Sequence, residues 1–477
     1  MHTLDLQLPS ASHDDPSEAS ADIDRTADVV VVGAGFSGLA AARRLQQQGL
    51  EVLVLEARDR VGGRTMAGHL AGLQVDLGGM WAGDSQTELL KLADEFGVRR
   101  YAQPLLGKNI IDLAGRVAMA DGEDYVSARS PAAQQQHREL LGRIEALASD
   151  MPDQAHWTWE RAAGFDGLSL AHWLSEAGAL AEVRQNIGIS CRALLCAEAY
   201  EVSFLHFLFY IKSGGGFESL TTARHGAQRW LFDGGVHQVA ARLADSLVAG
   251  SLMLGQPVRR IEQRGGTVRV STDAFTAVAK AVVVAVPPGL AARIDYAPPL
   301  RALRDGLTQR LAMGSVIKCF IAYERPFWRD AGYNGLVLSD AATFTPIFDV
   351  SPPGQPLGVL CGFIDGKAAL EASHKGSAWR KARLVAEVAS WFGPEGEAPL
   401  DYTDQDWTSE AYSRGCYGAY FGPGTWTGYG AAWRAPEGAI FWAGTETASR
   451  WYCYIDGAIQ AGHRAAAEAL AHVEATA

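Results

Sequence analysis

The sequence has little of what a membrane, a nucleic acid or an oxidising compartment would require. Its longest apolar runs, such as AVVVAV at 281–286 and FLHFLFYI at 204–211, fall far short of the roughly 20 residues of a spanning helix. Basic residues are in deficit: 42 Lys and Arg face 54 Asp and Glu, for a net charge of −12, which argues against nucleic acid or an anionic membrane as partner. Cysteine is scarce. The six present (Cys191, Cys196, Cys319, Cys361, Cys416 and Cys453) form no metal-type CxxC pair and no disulfide-dense pattern. The 12 histidines show neither zinc-ligand spacing nor Ser–His–Asp logic, so no metal is expected. The opening MHTLDLQLPSASHDDPSEASADIDRTAD lacks the basic start and apolar run of a secretory signal and the arginines of a transit peptide. It holds seven acids and one base, so half of the net charge sits in the first 28 residues. The expectation is a disordered acidic tail over residues 1–27, ahead of a soluble, cytoplasmic protein.

What is present is a large apolar content, 48% of 477 residues with 52 glycines, enough for two to four domains with substantial cores. DVVVV at 28–32 is a short continuous apolar run, the pattern of a strand buried on both faces of a parallel sheet. Gly33-Ala34-Gly35-Phe36-Ser37-Gly38 follows at once, then the helix-forming LAAARRLQQQ stopped by Gly49, then a second buried strand, EVLVLE at 51–56. This is a complete βαβ unit. A lone GxGxxG is weak evidence, but strand before, helix after and an acid at the end of the next strand make a dinucleotide site. The glycines let backbone N–H groups approach a pyrophosphate at the positive end of the helix, and Glu56, 18 residues past Gly38, is placed to accept from an adenosine ribose. Further on, GGVHQVAARLADSLV at 234–248 reads as a helix, Arg264-Gly265-Gly266 as a hairpin turn, AIFWAG at 439–444 as a buried strand and 454–472 as a closing helix.

Directly after Glu56 comes Ala57-Arg58-Asp59-Arg60-Val61-Gly62-Gly63-Arg64-Thr65, and here the chain resembles the flavin amine oxidases, whose FAD signature has this extension. The resemblance runs from about residue 28 to 472 and is nearest to the monoamine oxidases. Asp76-Leu77-Gly78-Gly79-Met80-Trp81 looks like the segment at the flavin face, and Gly314-Ser315-Val316-Ile317-Lys318-Cys319 like the lysine strand. Ser413-Arg414-Gly415-Cys416-Tyr417 looks like the segment whose cysteine carries the flavin, and Gly444-Thr445-Glu446-Thr447 through Tyr454 like the closing flavin-binding strand and helix. The resemblance implies an α/β fold, a Rossmann-like FAD-binding domain of the glutathione-reductase-like type with an inserted α+β substrate domain. The FAD domain would comprise 28–100, 233–307 and 410–472, and the substrate domain 101–232 and 308–409. It further implies FAD contacts from Gly33, Gly35, Phe36, Ser37, Gly38, Glu56, Ala57, Arg58, Gly63, Arg64, Gly79, Met80, Trp81, Val258, Trp407, Cys416, Gly444, Glu446, Tyr454 and Ile455.

Each chemical residue has a plainer rival. Lys318 lies in an apolar strand on the face of Val316, Phe320 and Ala322. A buried ammonium is costly and needs a partner or a task; the alternative is an edge-strand lysine snorkelling to water. The resemblance implies a water-mediated contact to flavin N5 that aids reoxidation by O2. Cys416 is either a small buried hydrophobe or the bearer of an 8α-thioether to FAD. Tyr417 and Tyr454 are either unrelated core tyrosines or, as the resemblance implies, facing rings that orient an amine nitrogen before the flavin. Gln228, Thr221, Leu338 and Phe348 are the implied substrate contacts, against ordinary core packing. Thr221 stands where an apolar gating residue is common, and Trp81 stands in place of a tyrosine.

The function implied is FAD-dependent oxidation of an amine by O2, giving an aldehyde or ketone, ammonia or an amine, and H2O2, with aryl or alkyl monoamines favoured. Polyamines would require acids in the pocket. Partners are the small-molecule amine and O2, with a homodimer as the assembly expectation and no membrane anchor, since the chain stops at HVEATA. The alternatives are an L-amino-acid oxidase, which needs a carboxylate-clamping arginine (Arg192, Arg224 and Arg229 being candidates), and a non-catalytic FAD-containing interaction module.

Overall fold

Four consecutive valines, Val29–Val32, form a strand with every side chain buried, because sheets flanked by layers on both faces have no solvent side to alternate with. In the computed structural model, which describes residues 23–121 and 126–476, this strand is the centre of a five-stranded parallel sheet. The spatial order is Leu252–Met253, Val52–Leu55, Val29–Val32, Ala281–Val284, Ile440–Trp442. Numbered along the chain this is 3-2-1-4-5, the doubly wound order that puts a ligand crevice at the carboxyl ends of the strands. The helix Phe36–Gln47 crosses between the first two strands, and Gly49 follows its end at φ +82°. A second five-stranded sheet, from Ile23–Thr26 to Asp295–Ala297, contains the expected hairpin: Arg264 pairs with Thr267 across Gly265 and Gly266, both at positive φ, as a two-residue turn of this twist requires.

Residues 1–22 of the expected tail lie outside the described residues. Its last part is corrected: Ile23–Thr26 is a strand paired parallel to Thr276–Ala279, so a disordered stretch does not extend to residue 27. IDRT has no apolar run; its strand is supplied by an open sheet edge and not by its own pattern.

The closing helix Ile455–Thr476 packs directly on Phe36–Gln47, so the two ends of the described chain meet. Glycine makes the approach possible. A Cβ at Gly462 would stand 2.1 Å from the Ser37 carbonyl oxygen, and one at Gly38 would stand 1.9 Å from that of Gly33.

The chain leaves the parallel-sheet unit twice, and each departure is closed by a two-stranded antiparallel ribbon. Arg100–Ala102 pairs with Trp230–Phe232, and Leu311–Met313 pairs with Ala419–Phe421. The two excursions share one seven-stranded sheet, in which Lys108–Leu113 of the first excursion pairs with Tyr333–Ser339 of the second. Helices of the first excursion, among them Pro131–Asp150, Ala181–Leu195 and Phe204–Ser213, bury an aromatic core with Trp426, Trp433 and Tyr452. Among the described residues no helix is long and apolar enough to cross a membrane.

Gly462→Ala is expected to cost about 1–3 kcal/mol and to lower the thermal unfolding midpoint of the flavin-loaded protein. A variant as stable as the parent would show that the two helices can separate without cost.

Candidate active site

One continuous cavity of about 590 Å³ runs from the Gly33–Phe36 turn to Leu338 and Phe348 in the excursion sheet. Its nucleotide end is made by two glycine turns that face one another. A Cβ at Gly63 would lie 3.2 Å from Gly35 Cα, so any side chain there would fill the cradle. Behind it, Glu56 is buried and accepts the Ala34 N–H at 2.7 Å and the Arg58 N–H at 3.0 Å. It braces the fingerprint turn while lining the cavity. The Gly444 N–H donates to Ser37 Oγ at 2.9 Å, fastening the last sheet strand to the first helix. The start of helix Phe36–Gln47 points its free N–H groups at this end, as an anionic diphosphate requires. These residues fit FAD: a glycine cradle, a helix N-terminus and an acid at the ribose distance, continuous with a deep apolar chamber.

Two arginines of the extension after Glu56 turn to protein partners. Arg58 pairs with Glu410, donates to Ser413 Oγ at 2.9 Å and lies over the Tyr412 ring. Arg64 makes a two-point contact with Glu446, at 2.5 and 3.0 Å, and its Nη1 donates to the Tyr417 carbonyl at 2.8 Å. Burial alone would lower the pKa of this guanidinium; the Glu446 carboxylate outweighs burial and holds it above its ordinary value.

Lys318 sits in Val316–Tyr323, a strand buried along its whole length and paired on both sides. The edge-strand alternative therefore fails. Its Nζ donates to the carbonyls of Asp76 at 2.8 Å and Gly78 at 2.7 Å and touches Met80 Sδ at 2.8 Å. Burial lowers its pKa, so the charge is held at a cost. The contacts fix Lys318 to the 76–80 segment, whose Gly79, Met80 and Trp81 also line the cavity.

Tyr417 and Tyr454 line the same chamber. The backbone around Tyr417 is pinned twice to one glycine: the Cys416 N–H donates to the Gly314 carbonyl at 2.9 Å, and the Gly314 N–H to the Gly418 carbonyl at 3.0 Å. Tyr454 is held by Thr445, whose Oγ1 donates to its carbonyl at 2.9 Å, and by the Trp451 ring at 4.9 Å. Burial raises both phenols, so both stay neutral. Cys416 is buried at the cavity wall, and burial pushes its thiol up to about 12 against the pull of Arg64. Trp81, Phe348 and Phe363 form an aromatic wall, with Trp81 and Phe348 5.2 Å apart and Phe363 6.3 Å from Tyr417. Gln228 donates to the Leu220 carbonyl at 3.1 Å, leaving its own buried Oε1 without a partner, and Thr221 donates to Phe217 at 2.9 Å.

Most of the residues expected from the sequence line this cavity, including Ala57, Val258 and Ile455. Three do not. Gly38 serves the close packing of its helix, Glu446 lies behind Arg64, and Trp407 is buried with its indole N–H on the Leu77 carbonyl at 2.9 Å. The sequence reading missed a lining stripe on Ala181–Leu195: Asn186, Ile189, Ser190, Ala193 and Leu194. The helical spacing was there to see, but any core-facing helix has it. None of Arg192, Arg224 and Arg229 lines the cavity. Arg192 pairs with Glu198 and Arg229 with Asp84, so none of the three arginines offered for the amino-acid-oxidase alternative is placed as a carboxylate clamp in this cavity.

Comparison with known proteins agrees with this geometry. The family model of the flavin containing amine oxidoreductases matches residues 36–470. A Mycobacterium tuberculosis protein classed with the flavin-containing monoamine oxidases is 39% identical over 94% of this chain and 97% of its own length. The flavin-containing amine oxidase B of Canis lupus familiaris is 36% identical over 93% of this chain and 86% of its own. Among solved structures, a putrescine oxidase bound to putrescine superposes with a TM-score of 0.89 at 33% identity, covering 94% of this chain and 99% of that one. Cyclohexylamine oxidase from Brevibacterium oxydans superposes at 0.88 and 32%, with the same coverage. With the glycine cradle, the buried lysine and the tyrosine-lined chamber in one cavity, the chain belongs to the flavin-containing amine oxidoreductases and is an FAD-dependent amine oxidase.

Proposed function

We propose that the substrates are apolar monoamines, arylalkyl amines foremost, taken up as the neutral amine with the nitrogen between Tyr417 and Tyr454. The observation that carries this reading is the charge of the wall. Among the described lining residues the one carboxylate is Glu56, at the nucleotide end, where Ala34 and Arg58 already occupy it. The substrate end is mainly aromatic and aliphatic, and its polar residues, Asn186, Ser190, Thr221 and Gln228, are uncharged, so a second ammonium would be desolvated without a counter-charge. A diamine is the ligand named for the putrescine oxidase structure; the wall here fits a single amine with an apolar tail.

Bound FAD supplies the two-electron acceptor for the amine α-carbon and, once reduced, the donor to O2. The protein's share is positioning. The tyrosine faces direct the nitrogen lone pair, and the Trp81, Phe348 and Phe363 wall excludes water. Lys318, fixed to the Asp76 and Gly78 carbonyls, holds a water on the oxygen-reacting side. Cys416 carries the flavin through a thioether; its buried thiol at the wall of the same cavity, one residue from Tyr417, supports this. Six cysteines without a disulfide fit a reducing, cytoplasmic setting.

In a peroxide-release assay, 2-phenylethylamine is expected to exceed putrescine in kcat/KM by at least roughly hundredfold; equal values would overturn the monoamine reading. Lys318→Met is expected to slow reoxidation of the reduced flavin by O2 on the order of 10- to 100-fold, measured by stopped flow after anaerobic reduction. Unchanged oxygen kinetics would remove Lys318 from that role. Acid precipitation of the holoprotein is expected to leave the yellow colour in the pellet, and Cys416→Ala to release it; colour wholly in the supernatant of the parent protein refutes the linkage.

A further inference from the structure

The helix Ala181–Leu195 measures the cavity away from the tyrosine pair. At its inner end the Leu194 carbonyl accepts the Tyr210 hydroxyl at 3.0 Å, and the Tyr210 ring lies 6.3 Å from that of Tyr454. Asn186 stands eight residues back on the same lining stripe, about 12 Å along the helix axis. It is a polar side chain, 7% exposed, at the far end of a wall whose other lining residues on this helix are Ile189, Ser190, Ala193 and Leu194.

The orientation of its amide is fixed by chemistry. Asn186 Oδ1 accepts from Arg129 Nε at 2.8 Å. A guanidinium has donors and no acceptor, so the amide oxygen must face Arg129 and the amide NH2 must face away from it. Arg129 is itself 4% exposed and anchored by Asp340 at 3.4 Å. The Asp340 oxygens also accept the Ala114 N–H at 2.9 and 3.1 Å, so that carboxylate is engaged behind the wall, and it is not a lining residue. Ser190, one turn further in, donates its hydroxyl proton to the Asn186 main-chain carbonyl at 3.2 Å. The far wall therefore offers amide donors backed by a cation.

We propose that this far end is a donor subsite, in which Arg129 orients the Asn186 amide to receive an uncharged acceptor, a hydroxyl, ether or carbonyl oxygen, at the distal end of an arylalkyl amine. The proposal rests on the monoamine reading and sharpens it. An apolar tail leaves the buried amide donors unpaired, and a distal ammonium meets donors and the Arg129 charge. Asn186 selects the substrate; Arg129 is a positioning residue that acts through it.

The test compares two amines of one size, 4-methoxyphenethylamine and 4-ethylphenethylamine, as the ratio of their kcat/KM values. A ratio taken on one preparation does not depend on how much of it has folded. The wild-type ratio is expected to favour the ether roughly tenfold. Asn186→Leu is expected to bring it close to one, Arg129→Met to lower it, and Arg129→Lys to restore it in part. A wild-type ratio of one, or a ratio unchanged in Asn186→Leu, overturns the proposal while leaving the monoamine reading intact. If neither arylalkyl amine bleaches the flavin anaerobically and putrescine does, the monoamine reading falls and the proposal with it.

Discussion

The Arg64 guanidinium joins three stretches that are far apart in sequence: the glycine turn that carries it, the Thr445–Thr447 turn through Glu446, and the Tyr417 backbone. Glu446 is almost wholly buried and Arg64 mostly so. Separating such a pair leaves an uncompensated charge in the interior, a loss of about 3–5 kcal/mol. The contact therefore does more than hold a loop. It fixes the Tyr417 backbone relative to the glycine cradle, and Gly314 fixes the same stretch beside the strand that carries Lys318.

The substrate chamber is built on a separate principle. Its walls come from both excursions of the chain, and their shared seven-stranded sheet makes one body of them. The ribbons that close each excursion set this body on the parallel-sheet unit at two places. Specificity residues such as Asn186 then lie on a helix that has no part in the cradle, so the tail of the substrate and its nitrogen are read by different elements.

The legibility of the sequence follows the range of the interactions. The βαβ unit was readable because strand, glycine turn, helix and acid lie within 30 residues and each follows a local rule. The hairpin at Gly265-Gly266 and the closing helix were readable for the same reason. Lys318 stood out as a cation in an apolar strand, and the structure explains it by two carbonyls some 240 residues away, which no local pattern shows. Ile23–Thr26 was misplaced because its strand is borrowed from a partner edge. Asn186 was missed because an asparagine on a helix face acquires meaning only through Arg129, 57 residues distant. Trp407 and Glu446 stand behind Leu77 and Arg64 and not on the cavity lining itself, a distinction that sequence position cannot make.

The contact between Phe36–Gln47 and Ile455–Thr476 also imposes an order on biosynthesis. The nucleotide fingerprint is among the first segments to leave the ribosome, yet its helix lacks the closing helix, and its sheet its last strand, until about 400 further residues have been made. Synthesis at roughly 5–20 residues per second makes that an interval of tens of seconds. The aromatic core of the first excursion waits as well, since Trp426, Trp433 and Tyr452 belong to it. Gly444, Thr445, Tyr454 and Ile455 line the cavity, so its wall is complete only when this late stretch of chain has been made.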